Sequence, residues 1–418
     1  MQTRLSPEFA GTPEGLEAEA ILRKCVHCGF CTATCPTYQL LGDELDGPRG
    51  RIYLMKQVLE GEKPTRKTQM HLDRCLTCRN CESTCPSGVQ YDHLLDIGRK
   101  IVDAKVPRPT PEKALRWALK EGLPSPLFAP AMKMGQAVRG LVPAALQAKV
   151  PAKQEAGAWP TRSHARKVLM LAGCVQPSMM PNINAATARV LDAAGIQTVI
   201  APKAGCCGAV KFHLNDQDGG RAEMRANIDA WWPMIASGEV EALVMNASGC
   251  GVTVREYGHF LKDEPAYAAK AQRIGELTRD LSELLPAIVA ALRQSRPERV
   301  PGPPAGDAGA GRHLAFHPPC SLQHGQQLRG AVEQHLAAFG FKVQVARSES
   351  HLCCGSAGTY SVLNPDLSHQ LRDRKLGHLG ELEPDVIVSA NIGCITHLQS
   401  GTPTPVRHWV EVLDEHLR

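Results

Sequence analysis

Short apolar runs alternate with helical patterns along the C-terminal part of the chain. Six of these runs have the length of a strand: 167–171, 197–201, 242–246, 313–317, 342–346 and 385–389. Apolar residues with helical spacing follow the first and the fourth run, at 182–194 and 328–339. Strands that alternate with helices are typical of parallel βαβ units. The pattern therefore predicts parallel sheets in this part of the chain.

The N-terminal part has mainly helical periodicity. Helices are predicted at 16–24, 51–60 and 91–104, and residues 70–74 lead into the segment that begins at Cys75. A Pro-rich stretch follows, in which Leu127–Val150 could lie on a membrane surface because Met and Leu occupy one side. Packing of this segment on its own protein is favoured, since Pro130 and Pro143 disrupt a long interfacial helix.

These patterns predict a mixed fold, α+β and α/β, in four segments. Residues 1–104 form a small, mainly α-helical domain, and residues 105–165 form a helical, Pro-rich linker. Residues 166–296 and 297–418 form two duplicated βαβ repeats with parallel sheets.

Cysteines mark the duplication, because each copy has a single cysteine, a Cys-Cys-Gly (CCG) pair and a final single cysteine. They are Cys174, Cys206, Cys207 and Cys250 in the first copy, and Cys320, Cys353, Cys354 and Cys394 in the second. Equivalent cysteines are offset by 146, 147 and 144 residues, which indicates an internal repeat. They follow predicted strands, so we expect them to meet at the carboxyl edge of each sheet.

The 16 cysteines also bear on the compartment and the class of protein. The first residues contain no apolar segment typical of a signal peptide, which favours a reducing compartment, and metal ligation or catalysis over disulfides. No stretch approaches the roughly 18 apolar residues of a membrane span. The net charge of +5 is mild and no block of like charges occurs, so nucleic acid is not an expected partner.

Two further cysteine runs near the N-terminus share the spacing C-x2-C-x2-C-x3-C-P. They are Cys25, Cys28, Cys31 and Cys35, and Cys75, Cys78, Cys81 and Cys85. Three closely spaced thiolates bind one cubane cluster, whereas the fourth leads toward the other cluster. This predicts two [4Fe–4S] clusters with crossed ligation: Cys25, Cys28, Cys31 and Cys85 for cluster 1, and Cys75, Cys78, Cys81 and Cys35 for cluster 2. Zinc is the alternative, but paired C-x2-C knuckles lack the third cysteine and the proline.

Residues beside these runs are candidates for tuning the reduction potential. Backbone amides and cations stabilise the more negative reduced state, and the candidates are Gly29, Gly88, Arg49, Arg51, Arg74 and Arg79. Taken singly, each arginine is expected to be an ordinary solvated charge.

The CCG cysteines allow two interpretations. They could hold a further iron–sulfur centre, or they could be reduced or structural thiols. His317, His351 and His397 are close to them in sequence. Each is expected to be a surface or hydrogen-bonding histidine.

Several segments together resemble the iron–sulfur subunit family of bacterial glycolate oxidases. They are CVHCGFCTATCPTYQLLGDELDGPRGRIYL, HLDRCLTCRNCESTCPSG, NIDAWWP, ASGCG, SHLCCGSAGTYSV and ANIGCITHLQSG. More broadly, CCG repeats after a two-cluster domain resemble heterodisulfide reductase, anaerobic glycerol-3-phosphate dehydrogenase and lactate-utilisation iron–sulfur proteins. Neither Cys250 nor Cys394 begins the C-x-x-C of heterodisulfide reductase, which argues against the noncubane cluster of that enzyme.

The resemblance implies a subunit of a membrane-associated complex that converts glycolate to glyoxylate. The sequence has no G-x-G-x-x-G loop between a strand and a helix, so carbon oxidation is expected on partner flavoprotein subunits. No catalytic or flavin-binding residue is therefore predicted in this chain. It would relay electrons toward a quinone or another membrane acceptor, on the cytoplasmic side of the inner membrane.

Three alternatives remain at this point. The chain could serve a lactate or glycerol-3-phosphate dehydrogenase complex, or it could be a heterodisulfide-type thiol reductase. It could also be a redox or iron sensor, although the lack of a DNA-binding element weighs against this.

Overall fold

The computed structural model describes residues 1–141, 150–303 and 312–418. The N-terminal domain is built from helices Pro13–Lys24, Phe30–Ala33, Pro36–Leu41, Pro48–Leu59, Arg66–Asp73, Asn80–Thr84 and Tyr91–Lys105, with a 3-10 turn at Glu44–Asp46. Helix Arg66–Asp73 was not predicted. Thr65 caps it, accepting a hydrogen bond from the backbone N–H of Thr68. Apolar faces of the longer helices meet in one core around Leu22, Met55 and Leu94.

The linker forms helices Thr110–Gly122 and Phe128–Ala137 and a 3-10 turn at Arg139–Leu141. The second helix contacts helix Gln176–Met179, where Gln136 donates to the Ser178 carbonyl over 3.3 Å. Three apolar side chains in and beside this helix are nevertheless exposed, since Leu127, Met134 and Leu141 are 74, 68 and 88% exposed. The segment therefore packs on its own protein less than expected. Residues 142–149, the remainder of that prediction, lie outside the described residues.

Each repeat contains one four-stranded parallel sheet. The strands are β1 Arg166–Met170, β2 Ile196–Val199, β3 Ala242–Met245, β4 Thr278–Asp280, β5 His313–Phe316, β6 Lys342–Val345, β7 Val386–Ser389 and β8 Val406–His408. The orders β2-β1-β3-β4 and β6-β5-β7-β8 are the same, and all pairs are parallel. The predicted fold class is confirmed. Strands β4 and β8 were not predicted, because each is three residues long and largely polar, TRD and VRH.

Helices connect these strands. In the first repeat they are Gln176–Met179, Pro181–Ala193, Ala209–His213, Gln217–Ala236, Ser248–Arg255, Tyr257–Phe260, Ala268–Leu277 and Leu285–Ser295, with a 3-10 turn at Leu281–Leu284. A 3-10 turn at Pro297–Arg299 precedes the second repeat, whose helices are Ala331–Ala338, Tyr360–Leu363, Pro365–Gly380, Ile392–Gln399 and Trp409–Leu417, with a π-helical turn at Ser321–Gly325.

The two repeats share a hydrophobic core. It joins residues of the first sheet, such as Val168, to Leu314 and Trp409 of the second repeat. Helix Pro181–Ala193 packs against helix Trp409–Leu417, and their contact includes an ion pair of 2.7 Å between Arg189 and Asp414. The repeats are therefore held together as one body.

The N-terminal domain lies on both repeats. Gln217 of the first repeat donates to the Asp96 carbonyl over 3.0 Å. On the second repeat, His324 bonds to the Ser83 hydroxyl over 3.0 Å, and Asn80 donates to the His351 carbonyl over 3.4 Å. The second cysteine run is thereby brought against the second repeat. Among the described residues, no helix combines the length and the apolar character needed to cross a bilayer.

Candidate metal centres

The cysteines assigned to cluster 1 line one cavity. It holds about 440 Å³ of empty space including its mouth, and its walls include Cys25, Cys28, Cys31 and Cys85. Cys81 also lines it, but Cys35 does not. Burial, followed by nearby Cys25 and Cys85, raises the pKa of Cys31 to about 11. The four cysteines of the crossed set thus line one cavity, with Cys81 of the second run beside them.

The two cysteine loops repeat an uncommon backbone conformation. His27 and Gly29 have φ of 58° and 85°, and Thr77 and Arg79, fifty positions later, have φ of 50° and 59°. Turns of this kind can direct successive backbone N–H groups into a concave surface that suits an anionic group. Only Gly29 is free of a side chain, and an added Cβ there would lie 2.6 Å from the Arg49 guanidinium.

The cysteines assigned to cluster 2 lie deeper. Burial raises the pKa of Cys78 and of Cys81, and in both cases Cys75 and Cys35 are close enough to raise it further. The Cys35 sulfur is 3.3 Å from the Thr37 hydroxyl. Cys35 is thus grouped with the second run.

Arg51 differs from the solvated charge that the sequence predicted. Its side chain is 1% exposed, and its Nε donates to the His71 carbonyl over 2.7 Å. Its guanidinium also donates to the Thr37 hydroxyl over 3.2 Å and pairs with buried Asp46 at 3.4 Å. Burial lowers the pKa of Arg51, but Cys75 and its other anionic neighbours outweigh this and raise it. The prediction is wrong because the cysteine loops and Asp46 enclose this side chain.

Arg79 is also an interdomain residue rather than a free surface charge. It pairs with Glu82 at 2.8 Å, with Asp92 at 2.9 Å and with Glu256 of the first repeat. These partners hold a non-glycine residue in the left-handed conformation, which costs about 1–2 kcal/mol. Its role is therefore to fix the second cysteine loop against the repeat.

The four cysteines of the first repeat form a chain of contacts after strands β1, β2 and β3. Hydrogen bonds from Cys174 and Cys207 lower the pKa of Cys206, and the same contacts raise the pKa of both partners. Cys207 also contacts Cys250. Burial and the neighbouring Cys206 raise the pKa of Glu223 to about 7, although Lys211 lowers it.

Buried polar side chains hold the first CCG loop. Asn227 donates to the Cys206 carbonyl over 2.6 Å, and the Tyr257 hydroxyl donates to the Cys207 carbonyl over 2.9 Å. Gly208 follows with φ of 93°, and an added Cβ would lie 2.8 Å from the Gly220 carbonyl oxygen. The loop thus needs glycine both for its conformation and for close helix packing.

The second repeat places its cysteines in the same order. The sulfurs of Cys320 and Cys353 are 3.9 Å apart, and Cys354 contacts both Cys353 and Cys394. Gly355 has φ of 90°, equivalent to Gly208. Both repeats therefore bring their four predicted cysteines together.

The second repeat lies next to cluster 2. Cys320 is a neighbour of Cys78 and raises its pKa. Leu76, Cys353 and Tyr360 form one buried apolar group, against which Cys78 and Cys320 pack. The second run and the second CCG loop are thus in contact.

Comparison with known proteins agrees with this arrangement. A 4Fe-4S dicluster domain matches residues 21–89, and a cysteine-rich domain matches twice, at 168–255 and 314–399. The glycolate oxidase iron-sulfur subunit of Escherichia coli (strain K12) is 55% identical over 422 residues, covering 100% of this chain and 99% of that protein. The chain belongs to the glycolate oxidase iron–sulfur subunit family. A probable glycolate oxidase iron-sulfur subunit of Bacillus subtilis is 30% identical over 418 residues, which is 92% of this chain and 89% of that protein.

A second group of relatives is shorter. Lactate utilization protein A of Bacillus licheniformis is 26% identical over 261 residues, which is 59% of this chain and 99% of that protein. The dicluster and cysteine-rich domains indicate iron–sulfur centres in this family member.

One histidine of this glycolate oxidase family member departs from the sequence prediction. His317 is 1% exposed, and neither ring nitrogen has a hydrogen-bond partner among the described residues. Leaving a buried polar atom unpaired costs about 1–3 kcal/mol. Burial, and secondarily Lys375, lowers the pKa of His317, so its imidazole is neutral. The prediction of a surface or hydrogen-bonding histidine is wrong, because the strand ends inside the core.

The other two histidines agree with the prediction. His351 is partly exposed, and His397 bonds to the Ser368 hydroxyl over 3.0 Å. Lys375, which sequence reasoning missed, is 2% exposed and donates to the Glu349 carbonyl. The pKa of Lys375 is lowered to about 8 by burial, although Cys354 and Cys353 raise it. Its sequence signal is weak, as it lies in the charged run RDRK.

Proposed function

We propose that this chain relays electrons within a glycolate oxidase complex, from partner flavoprotein subunits toward a quinone-type acceptor. One observation carries the proposal: cysteine sites follow one another from an exposed face to the second repeat. Cys28 is exposed, Cys81 of the second run lines the cluster 1 cavity, and Cys78 packs with Cys320 on one buried group. When bound, iron–sulfur clusters supply one-electron transfer.

The eight N-terminal cysteines would bind two [4Fe–4S] clusters with crossed ligation. The cavity lined by Cys25, Cys28, Cys31 and Cys85 supports the first set. The proximity of Cys35 to Cys78 and Cys81 supports the second. The CCG cysteines would hold a further centre, because the four of each repeat form a chain of contacts at one edge of their sheet.

Crossed ligation is tested by a matched pair of variants. Cys35→Ser should alter the EPR signal of cluster 2, and Cys85→Ser should alter that of cluster 1. An external paramagnetic probe should broaden the EPR signal of the buried cluster 2 less than that of cluster 1, which distinguishes the two signals. Reversed effects would refute the assignment, and zinc in place of about eight iron atoms would refute the clusters.

The flavoprotein subunit would bind at the mouth of cluster 1. Val26 and Phe30 are 68 and 60% exposed beside Cys28, and Tyr53 is 46% exposed nearby. Exposed apolar side chains around a redox site are suited to a transient interface. Phe30→Glu should weaken copurification with the flavoprotein. Trp117→Glu, at an exposed tryptophan of the linker, is the control and should not.

The substrate of the complex is proposed from the relatives. The isolated chain should bind no flavin and oxidise no glycolate, while the assembled complex should reduce a quinone with glycolate. Lactate and glycerol 3-phosphate are the comparison substrates, and faster turnover with either would replace glycolate in the proposal.

We also propose that the linker helix contacts the cytoplasmic face of the inner membrane. Leu127, Met134 and Leu141 are exposed, and Lys133 and Arg139 lie among them. Such a surface binds anionic lipid through apolar burial and charge. Vesicles containing anionic lipid should retain the full chain, and Met134→Glu should reduce retention. Equal retention by both would refute this contact.

A further inference from the structure

Three donor atoms of the second repeat converge on one point. They belong to His317, Cys354 and Cys394, and all lie within 4.8 Å of one another. Ligand atoms around a single tetrahedral ion are about 3.5–3.8 Å apart, given metal–sulfur and metal–nitrogen bonds of about 2.3 and 2.0 Å. The three side chains thus have nearly the spacing that one ion requires.

The imidazole also makes no hydrogen bond to the described residues. His317 is 1% exposed, and both ring nitrogens are unpaired among the described residues. The backbone N–H of His317 bonds to the Val388 carbonyl over 2.8 Å, so the strand fixes the residue without using its side chain. A neutral imidazole with a free nitrogen beside two cysteines has the properties of a metal ligand.

The first repeat provides an internal comparison. The sheet register pairs Val168 with Ala242 and Leu314 with Val386, so Leu171 occupies the position of His317. Leu171 is 3% exposed and packs in the apolar core. The scaffold alone therefore accepts leucine here, and histidine is specific to the second repeat.

The charges are consistent with metal binding. Two thiolates and one neutral imidazole balance a divalent ion, which lowers the cost of burying it. The thiol protons of Cys354 and Cys394 leave to solvent as the ion binds, so no oxidant or reductant is needed. The ammonium group of Lys375 lies close to Cys354 and Cys353, so it offsets the negative charge of their thiolates.

We propose that the second repeat binds a divalent transition-metal ion through His317, Cys354 and Cys394, whereas the first repeat carries Leu171 at the position of His317. Thiolate and imidazole donors select iron or zinc over calcium or magnesium. This site rests on the further centre proposed for the CCG cysteines and makes it a single ion in the second repeat. It is additional to the two clusters of the N-terminal domain and does not depend on the substrate of the complex.

The test uses the full chain, purified without oxygen, and its His317→Leu variant. Leucine is chosen because the first repeat carries it at the equivalent position. Iron and zinc are counted by elemental analysis, and X-ray absorption at the edge of the bound metal reports its nitrogen neighbours. The wild type should hold about one ion beyond the cluster iron, with a nitrogen neighbour. His317→Leu should bind that ion at least about tenfold more weakly.

Two further variants make the result specific. His317→Cys should retain the ion with sulfur in place of nitrogen. His369→Ala, at an exposed histidine of helix Pro365–Gly380, should match the wild type. The EPR signals of the N-terminal clusters should be the same in all of these variants as in the wild type. Absence of those signals from the wild type would contradict the cluster assignment and not the metal site of the second repeat.

Thermal stability gives an independent readout. If His317 is a ligand, His317→Leu should lower the unfolding temperature of the metal-loaded chain and raise that of the chelated chain, where the unpaired imidazole is replaced by an apolar side chain. Equal metal content and an unchanged absorption spectrum in His317→Leu would overturn the proposal. So would a wild-type chain with no metal beyond the cluster iron, or with only sulfur neighbours.

Discussion

The two CCG repeats have the same scaffold but different surroundings. Their sheets share one strand order, their cysteines follow equivalent strands, and Gly208 and Gly355 turn with almost equal φ. The first set of cysteines contacts buried polar residues, including Tyr257. The second set contacts the N-terminal domain through Cys78.

Single positions make the difference. Leu171 in the first repeat corresponds to His317 in the second, and only the histidine adds a metal-binding nitrogen. Near the pair, the first repeat places the carboxyl group of Glu223 against Cys206, whereas the second places the ammonium group of Lys375 near Cys354. The two repeats thus have the same fold, and a few buried side chains give their cysteine sites different electrostatic environments.

The largest expected difference between the repeats is in electron flow. Cys354→Ala should slow transfer from reduced flavin to the acceptor at least about tenfold, because Cys354 contacts Cys353 beside cluster 2. Cys207→Ala is the matched variant, and it should slow transfer less. Stopped-flow reduction of the assembled complex by glycolate measures both.

Iron content and thermal stability are followed in the same samples. Equal slowing by both variants would remove the proposed distinction. Normal iron content and normal turnover in Cys354→Ala would mean that the second pair is structural.

The sequence predicted the repeated scaffold well and the environment of its sites poorly. Six strand cores and all sixteen cysteines could be placed, since apolar runs and cysteine spacing are local signals. The short strands ending at Asp280 and His408 could not, because their stability comes from pairing with β3 and β7 rather than from their own residues.

Burial of polar side chains depends on contacts that are distant in sequence. Arg51 is enclosed by Thr37, His71 and Asp46, and His317 by the shared core, so neither is distinguishable from a surface residue locally. Aligning the repeats offered one signal, because it sets His317 against an apolar Leu171. That comparison identifies a polar residue at a core position.

A second expected effect concerns the glycines of the CCG loops. Gly355→Ala should destabilise the chain by about 3 kcal/mol, since a left-handed alanine costs about 1–2 kcal/mol and its Cβ would overlap the Ser368 carbonyl oxygen. Gly208→Ala should cost somewhat less, as its Cβ would lie 2.8 Å from the nearest oxygen. Denaturant unfolding measures both, and Gly302→Ala, where no atom lies within 4 Å of an added Cβ, controls for conformation alone.

A third expected effect is that the two repeats contribute to stability with different pH dependence. His408 and Asp280 are equivalent helix caps at the last residues of β8 and β4, each in a capping box with a following glutamate. Burial lowers the pKa of His408 to about 3, despite its bond to the Asn246 carbonyl, and raises that of Asp280 to about 6. Below pH 6.5 the unfolded chain therefore binds a proton that folded His408 does not, so stability present above pH 6.5 falls on acidification.

Asp280 has the opposite sign. Between about pH 3.8 and 6 its folded carboxyl group holds a proton that the unfolded chain releases, so stability falls as pH rises through that window. His408→Asn keeps a capping side chain. Between pH 6.5 and 5, its free energy of unfolding should fall by about 2 kcal/mol less than that of the wild type. The free energy of unfolding of Asp280→Asn should fall by more than that of the wild type over the same range. Identical pH profiles of unfolding for the three proteins would contradict the assignment.

The smallest expected effect concerns how each CCG loop is held. In the first repeat the Tyr257 hydroxyl donates to the Cys207 carbonyl over 2.9 Å, and in the second the Ser368 hydroxyl donates to the Gly355 carbonyl over 2.8 Å. Tyr257→Phe and Ser368→Ala each remove one donor and leave a buried carbonyl unpaired, so each should cost about 1 kcal/mol of unfolding free energy. Metal content should stay at the wild-type value in both, because neither side chain is a proposed ligand. Loss of metal from Ser368→Ala but not from Tyr257→Phe would show instead that the second loop needs the Ser368 hydrogen bond to keep Cys354 in place. The repeats would then differ in rigidity as well as in ligands.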